Sequence, residues 1–143
     1  MQVNQCIISI EERDIIRENI ILKMMQERIE HNLKKIKTSK DLLSPTYITA
    51  TYRLLDLILS DIALINERLN EASIEWLDGE HSELFVRYRI VCRGLEESVA
   101  IKRDVAEKQL SIKFEEYFIR FMGSVKKRVA ISGIQHVSAA RRL

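Results

Sequence analysis

The sequence contains very few of the residues that form turns. Its 143 residues include one proline and four glycines. Tight turns depend on these two residue types, so strand-rich folds and most catalytic loops are disfavoured. The glycines stand singly at positions 79, 94, 123 and 133, which excludes a glycine-rich phosphate-binding loop. The expected fold is therefore all-α, a bundle of three to five long helices formed by residues 1–143 as a single helical domain.

Cysteine and histidine are equally scarce. Cys6 and Cys92 are the only cysteines, too few for a disulfide framework, which indicates reduced thiols and a cytoplasmic location. His31, His81 and His136 lie far apart in the sequence and form no metal-ligand motif. We therefore expect no catalytic, cofactor-binding or metal-binding residues, no cofactor and no enzymatic activity. Long apolar runs are also missing, so no transmembrane segment is expected.

Acidic residues are missing from the end of the chain. The last one is Glu116, and residues 1–116 carry 21 acidic and 17 basic side chains, a net charge of −4. The remaining residues carry six basic side chains and no acidic one. Because local fields decide what a surface attracts, this region is predicted to bind a nucleic acid or an acidic protein surface. The basic residues assigned to such phosphate or partner contacts are Lys113, Arg120, Lys126, Lys127, Arg128, Arg141 and Arg142.

Two segments have clear helical patterns. Helix 1 is predicted over residues 9–40, because Ser9 and Glu12 form a capping box and apolar residues then recur every seven positions. Helix 2 is predicted over residues 45–73, with Ser44 as the N-cap and Pro45 at the first helical position. Helix 2 is apolar on nearly all sides, which is typical of a central helix or of one that meets a partner chain. Its candidate self-association face consists of Leu54, Leu57, Asp61 and Leu64.

Residues 80–131 lack proline and contain two glycines, and this favours either one very long helix or two to three shorter ones. Apolar residues from Tyr88 to Leu110 can be placed on one seam, and the pattern strengthens from Leu110 onward. Residues 132–143 have weak periodicity and are expected to form a basic tail.

Part of this segment resembles a known family. Arg103-Asp-Val-Ala-Glu-Lys-Gln-Leu-Ser-Ile112 and the basic run Lys126-Lys127-Arg128 resemble the sigma-region-4 type helix-turn-helix of small phage late-transcription regulators of the ArpU type. The resemblance implies a DNA-binding regulator whose recognition helix ends in that basic run. It departs from the family pattern at Lys113, where a serine would cap the recognition helix, and at Glu115 and Glu116, which repel phosphate.

Two functions of different classes follow from these patterns. The first is a non-enzymatic regulatory or assembly protein, with a dimer as the expected oligomer, that self-associates and binds a partner protein through helix faces. The second is a DNA-binding transcription regulator of phage or bacterial type that uses the C-terminal region.

Overall fold

The computed structural model describes the backbone of residues 8–141 and the side chains of residues 8–123. In these residues the chain forms helices α1 (Ile10–Thr38) and α2 (Ser44–Glu71), then strands β1 (Ile74–His81), β2 (Phe85–Cys92) and β3 (Leu95–Lys102), and finally helix α3 (Arg103–Arg141). The strands form one antiparallel sheet in the order β1-β2-β3. The fold is therefore α+β, and the prediction of an all-α helical bundle is wrong.

The first two helices lie where the sequence patterns placed them. The capping box is confirmed, since the Glu12 amide donates to the Ser9 hydroxyl and the Ser9 amide donates to the Glu12 carboxylate. Helix α2 begins one residue earlier than expected. Leu43 is its N-cap without a side-chain hydrogen bond, and Ser44 is already helical. Proline occupies the first turn as predicted, because the missing N–H of Pro45 has no partner to lose there.

The core lies between the two helices, the sheet and the first part of α3. Helix α1 is deeply enclosed in its middle, because residues 19–22 are buried in succession. Four consecutive buried residues cover more than one full turn, so α1 is enclosed on all sides at this level. Helix α2 exposes Tyr52 and Leu59 on its outer side. The two helices are also joined by a part-buried hydrogen bond of 2.9 Å, which the fully buried Asn19 donates to Asn66.

The sheet occupies residues that were expected to be helical. Burial alternates along β2 and β3, with Val86, Ile90, Val99 and Ile101 buried and their neighbours along the chain mostly exposed. This period of two is that of a strand with one face on the core. The prediction of a helical seam from Tyr88 to Leu110 is therefore wrong for residues 88–102. In these residues the β-branched side chains form the inward face of the sheet.

A two-residue turn makes this meander compact. Cys92 pairs with Leu95, so only Arg93 and Gly94 connect β2 to β3. Both have positive φ, 49° and 88°, which is the conformation of the type I′ turns that fit the twist of a hairpin. One glycine in the right place is thus enough to reverse the chain, and the scarcity of glycine did not exclude strands.

Helix α3 starts directly at the end of β3 without a loop. The Arg103 amide donates to the Leu84 carbonyl, and its guanidinium donates to the Ser82 carbonyl, so the start of the helix is tied to the β1–β2 loop. The helix then continues over 39 residues to Arg141. The residues quoted for the resemblance to ArpU-type regulators, 103–112 and 126–128, lie within this single helix.

Candidate interaction surface

One side of α3 is held against the body by a polar cluster. Asp61 of α2 accepts a hydrogen bond from the Tyr117 hydroxyl and another, of 3.0 Å, from the Arg120 guanidinium. Burial alone would raise the pKa of Asp61, but these two hydrogen bonds outweigh it and hold the pKa below its usual range. Burial and the neighbouring carboxylate both raise the pKa of Tyr117, so its hydroxyl remains a donor. This cluster fixes α3 to α2.

Two ion pairs fix α3 to α1. The Glu107 carboxylate accepts both hydrogen bonds of the Arg28 guanidinium, at 2.6 and 2.7 Å. The Lys113 ammonium lies 2.9 Å from the Glu18 carboxylate. Partial burial works to lower the pKa of Lys113, yet the hydrogen bond to Glu18 raises it overall and keeps the side chain charged. Together with Ala106, Leu110 and Tyr117, which are buried, these contacts define the inner face of α3.

Of the seven basic residues predicted to contact phosphate or a partner, two have side chains that the structure describes. Lys113 and Arg120 are engaged with Glu18 and Asp61 in the same chain, so their charges are partly neutralised. The side chains of Lys126, Lys127, Arg128 and Arg141, and the whole of Arg142, lie outside the described residues. The predicted phosphate contacts at those positions stay a prediction.

The residues predicted as a self-association face on α2 are mostly covered. Leu54 is buried, Leu57 is partly buried against the core, and Asp61 binds α3. Leu64 alone among the four is well exposed, with 57% of its surface accessible. Much of the excess apolar surface of α2 that suggested a partner chain is therefore covered within the same chain.

An exposed apolar line runs along the outer face of α3. Val105, Ile112 and Ile119 recur every seven residues and are 37%, 60% and 63% exposed. At about 100° per residue, they lie on the side opposite to Leu110 and Tyr117. We call these three residues the outer line of α3. The sequence alone did not predict this line, although the seven-residue spacing was present, because Val105 and Ile112 also fit the resemblance to ArpU-type regulators.

Two aromatic residues of α3 are also exposed, but about 160° and 120° around the helix axis from Ile112. Phe114 and Phe118 are 37% and 47% exposed, and their rings stack with centroids 6.4 Å apart. Single exposed apolar residues are common on protein surfaces, but three on one helix face, as in the outer line, are characteristic of an interaction site. Helix α3 thus has an inner face that packs on α1 and α2 and an outer face that carries a narrow apolar line.

A separate open cleft lies between α1, α2 and β1. Its volume is about 640 Å³, and Lys23, Asn66 and Trp76 are among the residues that line it. The Lys23 ammonium lies 4.2 Å from the centroid of the Trp76 ring, and burial lowers the pKa of Lys23. The aromatic surface in this cleft is therefore already covered by a cation of the same chain.

Residues 7–121 match the model of a protein family that carries the description YhjD protein. This chain belongs to the YhjD family. The matched region includes both helical elements of the core, the whole sheet and the part of α3 that packs on them up to Phe121. No curated protein and no solved structure matched the chain.

The YhjD family match leaves the function open, since its description states no activity. The resemblance to ArpU-type regulators also stays a prediction. Among residues 8–141, no helix combines the length and apolar character needed to cross a bilayer. Within the described part of the chain, no three His, Cys, Asp or Glu side chains are grouped so that they could hold a metal ion.

Proposed function

We propose that this YhjD-family chain is a non-enzymatic assembly protein that self-associates and binds a partner protein through exposed helix faces. The observation that carries the proposal is the outer line of α3, where Val105, Ile112 and Ile119 are exposed at regular helical spacing. Burying such a line against another helix removes apolar area from water, at about 25 cal/mol per Å². The proposal keeps a cytoplasmic location, which rests on the low cysteine count.

The inner face of α3 supports this role because it makes α3 a rigid platform. Contacts to Arg28, Glu18 and Asp61 come from two different helices and fix α3 at three positions along its length. A preorganised helix loses little conformational freedom on association. Because α3 is already folded and held in place, binding at the outer line does not have to offset the free-energy cost of ordering the helix.

The test is the mass of the purified protein in solution, measured by sedimentation or light scattering over a range of concentrations. As the concentration of the wild-type chain is raised to about 100 μM, we expect the dimer to become the main species. Ile112→Glu places a charge in the outer line and should give a folded monomer. Leu42→Glu is the matched control, because Leu42 is 92% exposed and lies outside α3. A wild-type chain that stays monomeric throughout would overturn self-association.

The acid-free C-terminal region supports a second candidate, DNA binding. With Lys113 and Arg120 in ion pairs, five basic residues after Phe121 remain as phosphate contacts. Five contacts predict that log affinity falls with log salt with a slope of about −4.5. Lys126→Glu combined with Lys127→Glu should abolish binding to a labelled duplex and leave the mass unchanged. No binding of the wild-type chain at low salt excludes this candidate.

A further inference from the structure

The outer line of α3 has a defined centre. Val105 and Ile119 lie seven residues before and after Ile112, and the three residues fall within about 40° of one another around the helix axis. If a second α3 runs in the opposite direction across Ile112, Val105 of each copy faces Ile119 of the other. Ile112 then meets Ile112 of the second copy on the two-fold axis. This arrangement places apolar residues opposite apolar residues along the whole line.

The charges on one flank of the line fit the same arrangement. Lys108 and Glu115 are both exposed, lie on the same side of the line, and make no ion pair with any described residue. Reversal about Ile112 places Lys108 level with residue 116 of the second copy, one helical step of 1.5 Å from Glu115. In an antiparallel two-fold pair, equivalent flanks lie on the same side. Lys108 of each copy is therefore next to Glu115 of the other, twice per dimer.

A parallel pair would be worse for the same residues. Each residue would then lie level with its own equivalent and opposite flanks would meet, so Glu115 of one copy would be close to Glu116 of the second. Like charges at such distances destabilise a helix pair, whereas opposite charges stabilise it. The charge pattern thus distinguishes the two directions, while the apolar line alone does not.

We propose that two copies of this chain associate through α3 as an antiparallel, two-fold symmetric pair centred on Ile112. The proposal rests on the self-association proposed above and specifies its geometry. The closed symmetry leaves no second copy of the surface unused, so assembly through this face ends at the dimer.

Reversal of single charges tests the geometry. Glu115→Lys places two lysines next to each other at both contacts of the antiparallel pair. The dissociation constant of the dimer should therefore rise roughly ten-fold. In a parallel pair the same change removes repulsion and should tighten the dimer. Lys108→Glu should weaken the antiparallel pair to a similar extent. The double variant Lys108→Glu/Glu115→Lys restores opposite charges and should recover wild-type affinity.

The readout is the dimer dissociation constant from sedimentation equilibrium at low salt, with helicity measured alongside to confirm folding. Lys34→Glu is the matched control, because Lys34 is an exposed lysine that belongs to α1 and not to α3. A dimeric wild type that Glu115→Lys leaves unchanged or tightens overturns the antiparallel geometry but not self-association. A monomeric wild type overturns the proposed function itself. Failure of the double variant to recover affinity also contradicts the pairing of Lys108 with Glu115.

Discussion

Individual residues in this chain are most constrained where two elements touch closely. Gly79 of β1 pairs with Tyr88 of β2, and a Cβ atom at Gly79 would lie 2.4 Å from a ring carbon of Tyr88. The ring has no easy way to move, because it packs edge-on against Trp76 and its hydroxyl hydrogen-bonds to His81. Glycine is required at this position for space, not for backbone conformation.

Gly79→Ala should therefore lower the free energy of unfolding by about 1–3 kcal/mol, since the alanine methyl displaces a packed aromatic ring. Chemical denaturation measures the change. Gly123→Ala is the control with the same chemical substitution. Its added Cβ would meet no atom within 4 Å, and Gly123 is helical, so stability should rise by up to about 1 kcal/mol. Equal effects at the two positions would contradict the steric argument.

The capping residue Glu12 has a second role at the residue scale. Its carboxylate accepts hydrogen bonds from the Arg93 guanidinium at the β2–β3 turn, and these bonds, with the one from the Ser9 amide, lower its pKa from 4.5 to about 2. A carboxyl group with a depressed pKa stabilises the folded state above its unfolded pKa. That contribution is lost as the pH falls from about 4.5 to 2.

Glu12→Gln should consequently flatten the dependence of stability on pH in this window and destabilise the protein at pH 7. Denaturation midpoints of both proteins, measured between pH 2 and pH 7, provide the comparison. Glu11→Gln is the control, as the neighbouring acidic residue is exposed and belongs to the same helical turn. If the two variants give the same pH profile, the link between Glu12 and Arg93 does not contribute to stability.

At the scale of elements, local signals predicted the first two helices and failed for the sheet. The capping box at Ser9 and the proline at Pro45 act within one helical turn, so the sequence around them is sufficient. The hairpin depends on Arg93 and Gly94, and Arg-Gly is a weaker turn signal than Asn-Gly. The apolar residues of its two strands consequently predicted a helical seam instead.

The candidate site was predicted only in part, for a different reason. The sequence shows Lys113 and Arg120 as basic residues, but their partners Glu18 and Asp61 are distant in the sequence. No local pattern could therefore show that the two cations form ion pairs within the chain. The heptad spacing of Val105, Ile112 and Ile119 was visible, yet spacing does not show which face of a helix the body covers. Only the position of α3 on α1 and α2 decides this.

The packing of α3 on α1 and α2 should depend more on the partly buried cluster of Asp61, Tyr117 and Arg120 than on the exposed ion pair between Arg28 and Glu107. Tyr117→Phe removes one donor from a carboxylate in a sheltered position and should cost about 1–2 kcal/mol. Arg28→Ala breaks a half-exposed pair and should cost less than about 1 kcal/mol, in spite of its two short hydrogen bonds. Urea denaturation of both variants measures the two losses in the free energy of unfolding. A larger loss for Arg28→Ala than for Tyr117→Phe would contradict this prediction.

At the scale of the whole molecule, folding and association should be coupled. The outer line of α3 lies opposite to the inner face that packs on the body, so unfolding the chain also destroys the dimer surface. Whatever binds only the folded state stabilises it by mass action. A dimer of this kind must therefore become more stable as the protein concentration rises, and a monomer must not.

This coupling gives a prediction that needs no knowledge of the interface geometry. For a dimer that unfolds to two chains, each ten-fold increase in concentration adds about 1.4 kcal/mol per dimer, or about 0.7 kcal/mol per chain. For a chain of this size, the midpoint of thermal unfolding should rise by about 1–3 °C per ten-fold increase. Ile112→Glu should abolish this dependence, and its midpoint should equal that of the wild-type chain extrapolated to high dilution. Leu42→Glu should retain the wild-type slope. A wild-type midpoint that is independent of concentration would show that the outer line is not used for self-association, and a partner protein would then be the remaining occupant of α3.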